Sequence, residues 1–406
     1  MVSACTDRAA ASTSDSEPAA LSELRRRAAD AFAELPIPVI KDKGWEHTDL
    51  SRLDLDTYQP IVAGANELGT PDATELPDGV VVLPLAEAAA SHTDLVTPHL
   101  GTLVLDGDKF AAQNGAKWRD GVFIYVPANT KVEQPISLET VQKIAGSAQF
   151  WRVLIVLAEG AKLTVAEHFL SAEPDLDAYF NPVAEIFIGA GARLNYLCIQ
   201  NLSERSWILG NQRARIERDG DLQWVTLGLG SGQGKLRMET DLRGRGANAC
   251  VTGAYTAHSD QHLDFDTTQE HFAPDTTSDL AFRGILLDRA TAVWSGMIRV
   301  EPDAQRTDAF QESRSLLLSN SAHADAIPGL EIEANDVRCT HAATLGRIDR
   351  DLLFYLMSRG LTHSEAERLI VSGFLEVVSA RLKDSEFMHG AVSTALDEQL
   401  QRILSA

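Results

Sequence analysis

The chain of 406 residues carries 36 Lys plus Arg against 58 Asp plus Glu, a formal net charge of −22, with 44% apolar and 23% charged residues. That is the balance of a soluble globular protein with room for two or three domains, and a surface this negative repels phosphate backbones, so no nucleic-acid partner is expected. The longest apolar run, VLIVLA at Val153 to Ala158, is too short for a bilayer, no apolar leader opens the chain, and Cys5, Cys198, Cys250 and Cys339 form no CxxC pair; the expectation is a reduced, cytoplasmic protein with no membrane partner.

The opening MVSACTDRAAASTSDSEPAA is rich in Ala, Ser and Thr and has no apolar period, so residues 1–20 are expected to be a disordered tail. Leu21, Leu24, Ala28, Ala31, Phe32 and Leu35 then recur at helical spacing, and Pro36 to Pro38 should stop that helix. A strand-like VVVLPL and a helical DKFAAQNGAKW follow. Residues 21–118 therefore read as an N-terminal mixed helical region.

From Gly121 the character changes to strands broken by short polar turns, with no helical period between them. EGAKLTV, AGARLNY and RDGDLQW each place a glycine (Gly160, Gly191, Gly220) just before a strand, and RGRGANACV continues the series with Gly246. A repeat of about 30 residues suggests stacked rungs that bury their apolar faces on one another. A Greek-key sandwich is the competing architecture. Residues 119–346 are assigned to this β core.

Beyond Gly346 the period is helical again. Asp349 should cap the start and Gly360 the end of RIDRDLLFYLMSRG. Thr362 and Glu365 make a capping box, and Ala366, Leu369, Ile370, Phe374, Val377 and Val378 form one apolar stripe. With a last amphipathic segment, AVSTALDEQLQRILSA, residues 347–406 form a C-terminal helical domain. Its stripes should cap the end of the β core or meet a partner.

Two groups of residues could carry chemistry. If Glu331 to His341 stays extended, Glu331, Glu333, Asn335, Cys339 and His341 share one strand face. A thiolate and a neutral imidazole there could ligate iron or zinc, with further ligands from a neighbouring rung or subunit. The alternative is a buried small thiol beside a surface histidine. The second group holds His258, His262 and His271 with Asp264, Asp266 and Glu270. It reads either as a metal site or as residues hydrogen-bonded along a polar face. Phosphate-loop, nucleophile-elbow, HExxH and kinase signatures are missing, and GLGSGQGK reads as a turn, so the chain is not expected to hydrolyse nucleotides.

Four blocks resemble the SufB/SufD family of iron–sulfur cluster assembly proteins: GVFIYVPANTKVEQPI, HLDFDTTQEHFAPDTTSDLAFRGIL, LEIEANDVRCTHAATLG and GLTHSEAERLIVSGFLEVV. The likeness spans Gly121 to Val378, with a weaker extension upstream through GWEHTDLSRL. Within the family the chain looks like the SufD branch, whose Cys-Ser-His-Gly pattern appears here as Cys339-Thr340-His341-Ala342. The branch's Lys-Pro-Glu-Leu-Glu-Ile stretch appears with Ile327 and Gly329 in place of Lys and Glu.

The resemblance implies a right-handed parallel β-helix flanked by N- and C-terminal helical regions, in a non-enzymatic scaffold subunit. It implies pairing with a SufB-like paralogue through β-helix strands, and a SufC-like ATPase docked on the C-terminal helices at Gly360, Ala366, Leu369, Ile370, Gly373 and Phe374. By the family's pattern His341 and the nearby Cys339 would serve cluster or iron assembly, as the possible metal ligands; as hard oxygen donors, Glu331 and Glu333 are expected to guide iron. No cofactor is expected on the isolated chain, only transient iron or a nascent Fe–S cluster in the complex, and the isolated chain could form a homodimer. Two other functions remain in play: a purely structural partner that stabilises the paralogue without a ligand, and a β-helix polysaccharide lyase or hydrolase using Asp264, Asp266 and Glu270.

Overall fold

The computed structural model describes residues 18–61, 76–105, 107–382 and 385–404. All but the last three residues of the expected tail lie outside them. Helix α1 (Ala19–Glu34) starts two residues before the expected Leu21, and its cap, Leu35, immediately precedes Pro36. Strands β1 (Gln59–Pro60) and β2 (Val81–Pro84) and helices α2 (Leu85–Ser91), α3 (Thr93–Val96) and α4 (Lys109–Lys117) complete the N-terminal region.

From there the chain alternates between two sheets. One holds β3 (Asp120–Val126), β5 (Ser147–Leu157), β7 (Tyr179–Ile188), β9 (Trp207–Ile216), β11 (Gln233–Leu242), β13 (His262–His271), β15 (Thr291–Val300) and β17 (His323–Ile332). The other holds β4 (Ile136–Gln142), β6 (Lys162–Ser171), β8 (Arg193–Asn201), β10 (Asp221–Gly228), β12 (Asn248–Ala257), β14 (Thr277–Leu286), β16 (Asp308–Leu317) and β18 (Arg338–Arg347). Neighbours along each row run parallel, whereas β2 lies antiparallel on β3. The molecule is thus a parallel β-solenoid in which each turn lays one strand in each sheet, and the Greek-key alternative does not apply.

Between the sheets, successive turns stack like on like. Leu236, Phe265, Trp294 and Ala326 occupy one column by register, and side chains of this kind make the main core. The repeat seen in the sequence has its cause at the corners. Each passage from first to second sheet through β16 turns on one residue with positive φ, two positions before the strand from β6 onward and seven before β4. Asn129, Gly160, Gly191, Asp219, Gly246, Asp275 and Arg306 supply it in turn. Glycine adopts that conformation freely, and Asn and Asp tolerate it best among the rest. At the fourth of these corners the left-handed residue is Asp219, one position before Gly220.

Both outer faces are covered in part. Over the first turns, α1, α2 and α4 bury a second core against β5, β7 and β9. Beneath them Arg152 and Glu185, both fully buried, form an ion pair at 2.6 Å. Glu185 also accepts from the N–H groups of Gly101, Leu103 and Val104, and Arg152 donates to Asn114 and the Val104 carbonyl.

The C-terminal helices α5 (Arg350–Ser358), α6 (His363–Ala380) and α7 (Glu386–Leu404) follow β18. Asp349 caps α5, Gly360 ends it at φ +99°, and the Thr362–Glu365 capping box is present. Their placement departs from expectation: α6 and α7 lie along the outer face of the second sheet, not across the solenoid end. Leu197, Ile199, Val225 and Leu227 face outward there and give those helices an apolar floor. The α6 stripe also divides. Ala366 and Val378 are buried with Val371 and Leu375, Ile370 and Phe374 are half-buried, and Leu369 and Val377 are exposed. A helix clasped between a sheet and α7 buries two adjoining faces, which a single-stripe reading merges. Arg381 at the end of α6 pins it by bonds to Thr252 at 2.9 Å and Asp279 at 3.1 Å.

Candidate functional site at the open end of the solenoid

The last turn has nothing stacked on it among the described residues, because β17 and β18 each stand at the end of a row. Side chains that would be buried in a middle turn are exposed here, including Ile332 and Leu345. Exposure continues along α5, a helix with no buried residue, on which Leu352, Phe354, Tyr355 and Met357 face solvent and Phe354 is 73% exposed.

Cys339 and His341 lie on β18, two apart, and so share a face. Register shows which face. Cys339 stands over Ala309 and His341 over Gln311, both buried, and Gln311 reaches across the interior to the carbonyls of Gly296 at 3.3 Å and Gly329 at 3.0 Å. The two side chains therefore project toward the solenoid interior at its mouth. Cys339 is half-buried against a small cluster formed by Ile298, Val300, Ala304 and Ala309. Burial first, and then the charge of Asp308, push its thiol above the usual value. His341 is exposed.

The two carboxylates do not join them. The segment does not stay extended: β17 ends at Ile332 and β18 starts at Arg338. The intervening corner is held by Gln305, which accepts from the Asp336 N–H at 2.9 Å. Glu331 consequently projects from the outer face of the other sheet, where Arg299 binds it at 2.8 Å and, by that hydrogen bond, holds its carboxyl below the ordinary range. Glu333 is exposed at the corner, and its N–H bonds the Val300 carbonyl. Period-two reasoning failed at one point only, the turn between the strands. Among the described residues no three His, Cys, Asp or Glu side chains gather as a metal cage. Within this chain the mouth offers an imidazole with a neighbouring thiol, two potential ligands short of a tetrahedral set.

The second group of candidates lies within the middle turns, each member with a partner. His271 is buried between Thr276 at 2.8 Å and Ser278 at 2.9 Å, and burial depresses its pKa to about 4. His262 meets Thr291 at 2.8 Å, and His258 lies 3.2 Å from Glu204. Asp264 bonds Lys235 and Thr48, Asp266 bonds Arg237, and Glu270 bonds Arg299 and Arg213. His262, Asp264, Asp266 and Glu270 thus lie hydrogen-bonded along the outer face of β13, while His271 points inward and His258 sits in the turn before the strand.

Of the residues expected to dock an ATPase, Gly360, Leu369 and Gly373 are exposed and Ile370 is half-buried. Leu369 and Gly373 line, with Leu375, Glu376, Leu396 and Leu400, a groove of about 270 Å³ between α6 and α7. Ala366 is buried and serves packing. Phe374 is half-buried in the sheet-facing cluster, 5.9 Å from the Arg283 guanidinium. A larger cavity of about 570 Å³ between α7 and strands β6 and β8, lined by His168, Leu170, Ile199, Phe387, Ala391 and Arg402, has no counterpart in the sequence reading. Its walls come from segments more than 150 residues apart, so no local pattern could have marked it. No described helix is long and apolar enough to cross a membrane.

Comparison with known proteins agrees with this architecture. The family model for the SUF system FeS cluster assembly SufBD core domain matches residues 140–374, and that for the SufBD protein N-terminal region matches residues 52–138. The iron–sulfur cluster assembly protein SufD of Bacillus subtilis is 31% identical over 394 residues, covering 89% of this chain and 90% of that protein. The SufB of the same organism is 29% identical over 308 residues, covering 75% of this chain and 66% of that protein. An iron–sulfur cluster assembly SufBD family protein of Mycobacterium tuberculosis is 28% identical over 384 residues, covering 92% and 91%.

Proposed function

The chain belongs to the SufBD family and has a role in iron–sulfur cluster assembly, and from that premise we propose that it is a non-enzymatic scaffold subunit that pairs with a SufB-like paralogue through its last turn. The observation that carries the reading is the unfinished mouth. An imidazole and a thiol face the interior of a turn on which no further turn stacks among the described residues, so a partner that completes the turn would also complete the ligand set. Iron or the nascent cluster is then cargo held between two subunits, with no cofactor resident on the isolated chain.

In this reading His341 acts as a neutral imidazole with one ring nitrogen free to donate to iron. Cys339, kept as a thiol by burial, becomes a ligand only when metal replaces its proton. Glu331, on the outer face of the other sheet, and Glu333, at the corner that follows it, lie outside the mouth, where they can attract iron toward the end of the solenoid as hard oxygen donors without closing a site with His341.

A SufC-like ATPase would dock on the α6–α7 pair, at the groove containing Leu369 and Gly373. Because those helices rest on the outer face of the sheet that β18 ends, movement of the pair would be felt at the mouth. Nucleotide would bias it only through different contacts in the two states. Leu369→Asp tests the docking better than Phe374→Asp, since Phe374 also packs against the sheet. A complex that still retains the ATPase after Leu369→Asp would refute that surface.

The central experiment measures iron and sulfide in the complex co-expressed with the SufB-like and SufC-like subunits, for wild type and His341→Ala at equal subunit stoichiometry. The expected result is a complex that forms but carries little cluster. Unchanged cluster content would leave the chain a purely structural partner. The lyase or hydrolase alternative lacks support, since Asp264, Asp266 and Glu270 each sit in ion pairs.

A further inference from the structure

The free edge of the last turn is not uniform, and the cause is one proline. In a parallel ladder a residue turns its N–H and C=O toward one neighbouring strand, and the next residue turns its own toward the other. The His323 N–H bonds the Ala290 carbonyl at 3.0 Å and the Glu333 N–H bonds the Val300 carbonyl at 2.9 Å. Odd-numbered residues of β17 therefore face β15. The main-chain groups of Ala324, Ala326, Pro328, Leu330 and Ile332 face the open edge.

On β18 the Arg338 N–H bonds the Thr307 carbonyl at 2.9 Å. By the same alternation Cys339, His341, Ala343, Leu345 and Arg347 face the open edge there. This second row has every donor. The first is broken at its centre, since Pro328 has no N–H to offer. Pro328 is tolerated in a long parallel strand for the same reason: its missing donor faces away from the ladder.

We propose that an incoming strand of the SufB-like partner takes its register from β18, pairing along the whole row centred on Ala343, while β17 pairs only to either side of Pro328. The proposal rests on the reading that such a partner completes the last turn. An edge proline limits pairing at the strand that carries it, so the continuous row sets the alignment. A slip of one residue in the added strand would turn its side chains to the opposite face. The register on β18 thus decides which partner side chains meet His341, whose own main chain lies in the seam.

The test uses the full chain and the SufB-like paralogue, with two substitutions that each delete one free-edge N–H and leave the ladder to the preceding turn untouched: Ala343→Pro on β18 and Leu330→Pro on β17. Titration calorimetry should show affinity reduced by at least about tenfold for Ala343→Pro and by less than about threefold for Leu330→Pro. Amide exchange on the wild-type complex needs no variant. Cys339, His341, Ala343 and Leu345 should gain protection on pairing by a larger factor than Leu330 and Ile332. A loss for Leu330→Pro equal to that for Ala343→Pro, or protection that favours β17, overturns the β18 register. A wild-type chain that does not bind the paralogue overturns the partner reading itself. Protection of the β18 amides in the isolated chain at raised concentration assigns the seam to a second copy and overturns the heteromeric pairing.

Discussion

The two ends of the solenoid are built on opposite principles. At the first end, β2 folds back antiparallel on β3, α1, α2 and α4 cover the outer face, and the Arg152–Glu185 pair has no solvent exposure. At the last end, β17 and β18 have open edges, and α5 presents Leu352, Phe354, Tyr355 and Met357 to solvent. Stacked-repeat proteins need polar caps at their ends to remain soluble. Among the described residues the covering elements gather over the first turns, and the last turn is left with two open strand edges.

The comparison can be broken most sharply at the covered end. Arg152→Ala leaves Glu185 charged and buried with only main-chain donors, and should cost ~3–5 kcal/mol in denaturant unfolding. A loss below ~1 kcal/mol would mean that water reaches the pair and that this end is not sealed.

Next in size is an effect of acid in the middle turns. The His271 pKa is depressed to about 4 by burial, while the unfolded chain binds its proton near 6.5. The unfolded state therefore binds more protons in this window. Stability from His271 is complete above about pH 6.5 and is lost as pH falls toward 4, in total ~3 kcal/mol. His271→Gln should flatten that part of the pH–stability curve; a curve of unchanged slope would refute the assignment.

A smaller effect belongs to the helical pair. Thr362→Ala removes the capping box and should cost ~1 kcal/mol, read as a shift in the unfolding midpoint. Smallest of all is Phe354→Ser at the open end. The isolated chain should change by less than ~0.5 kcal/mol, because the ring touches little that folding must keep. A loss of more than ~1 kcal/mol would show that α5 packs on its own chain and is not waiting for a partner.

These contrasts also mark where sequence and structure diverged. The solenoid was legible because its corners repeat a conformational demand that glycine meets, as at Gly160, Gly191 and Gly246. Asp349, Thr362 and Glu365 were legible because capping is a local hydrogen-bond problem. Glu331 was misplaced relative to His341 because alternation fixes a face only within one strand, and nothing in EANDV announces a turn as plainly as a glycine would. The α6 stripe was merged because burial on two sides depends on where α7 lies, a matter of tertiary packing. His341 is singled out by family likeness alone. Its place at the mouth follows from its register over Gln311 and from there being no strand beyond β18 among the described residues.

The asymmetry of the two ends also has a direction in time. The covered end is encoded first: α1, β2 and α4 precede β3, and from β5 on each strand pairs with one two places earlier. As the chain leaves the ribosome, every new turn finds a finished edge to add to, so the solenoid can grow like a zipper from its sealed end. The open edge that is dangerous for aggregation is the last part of the solenoid to exist, with only the C-terminal helices made after it.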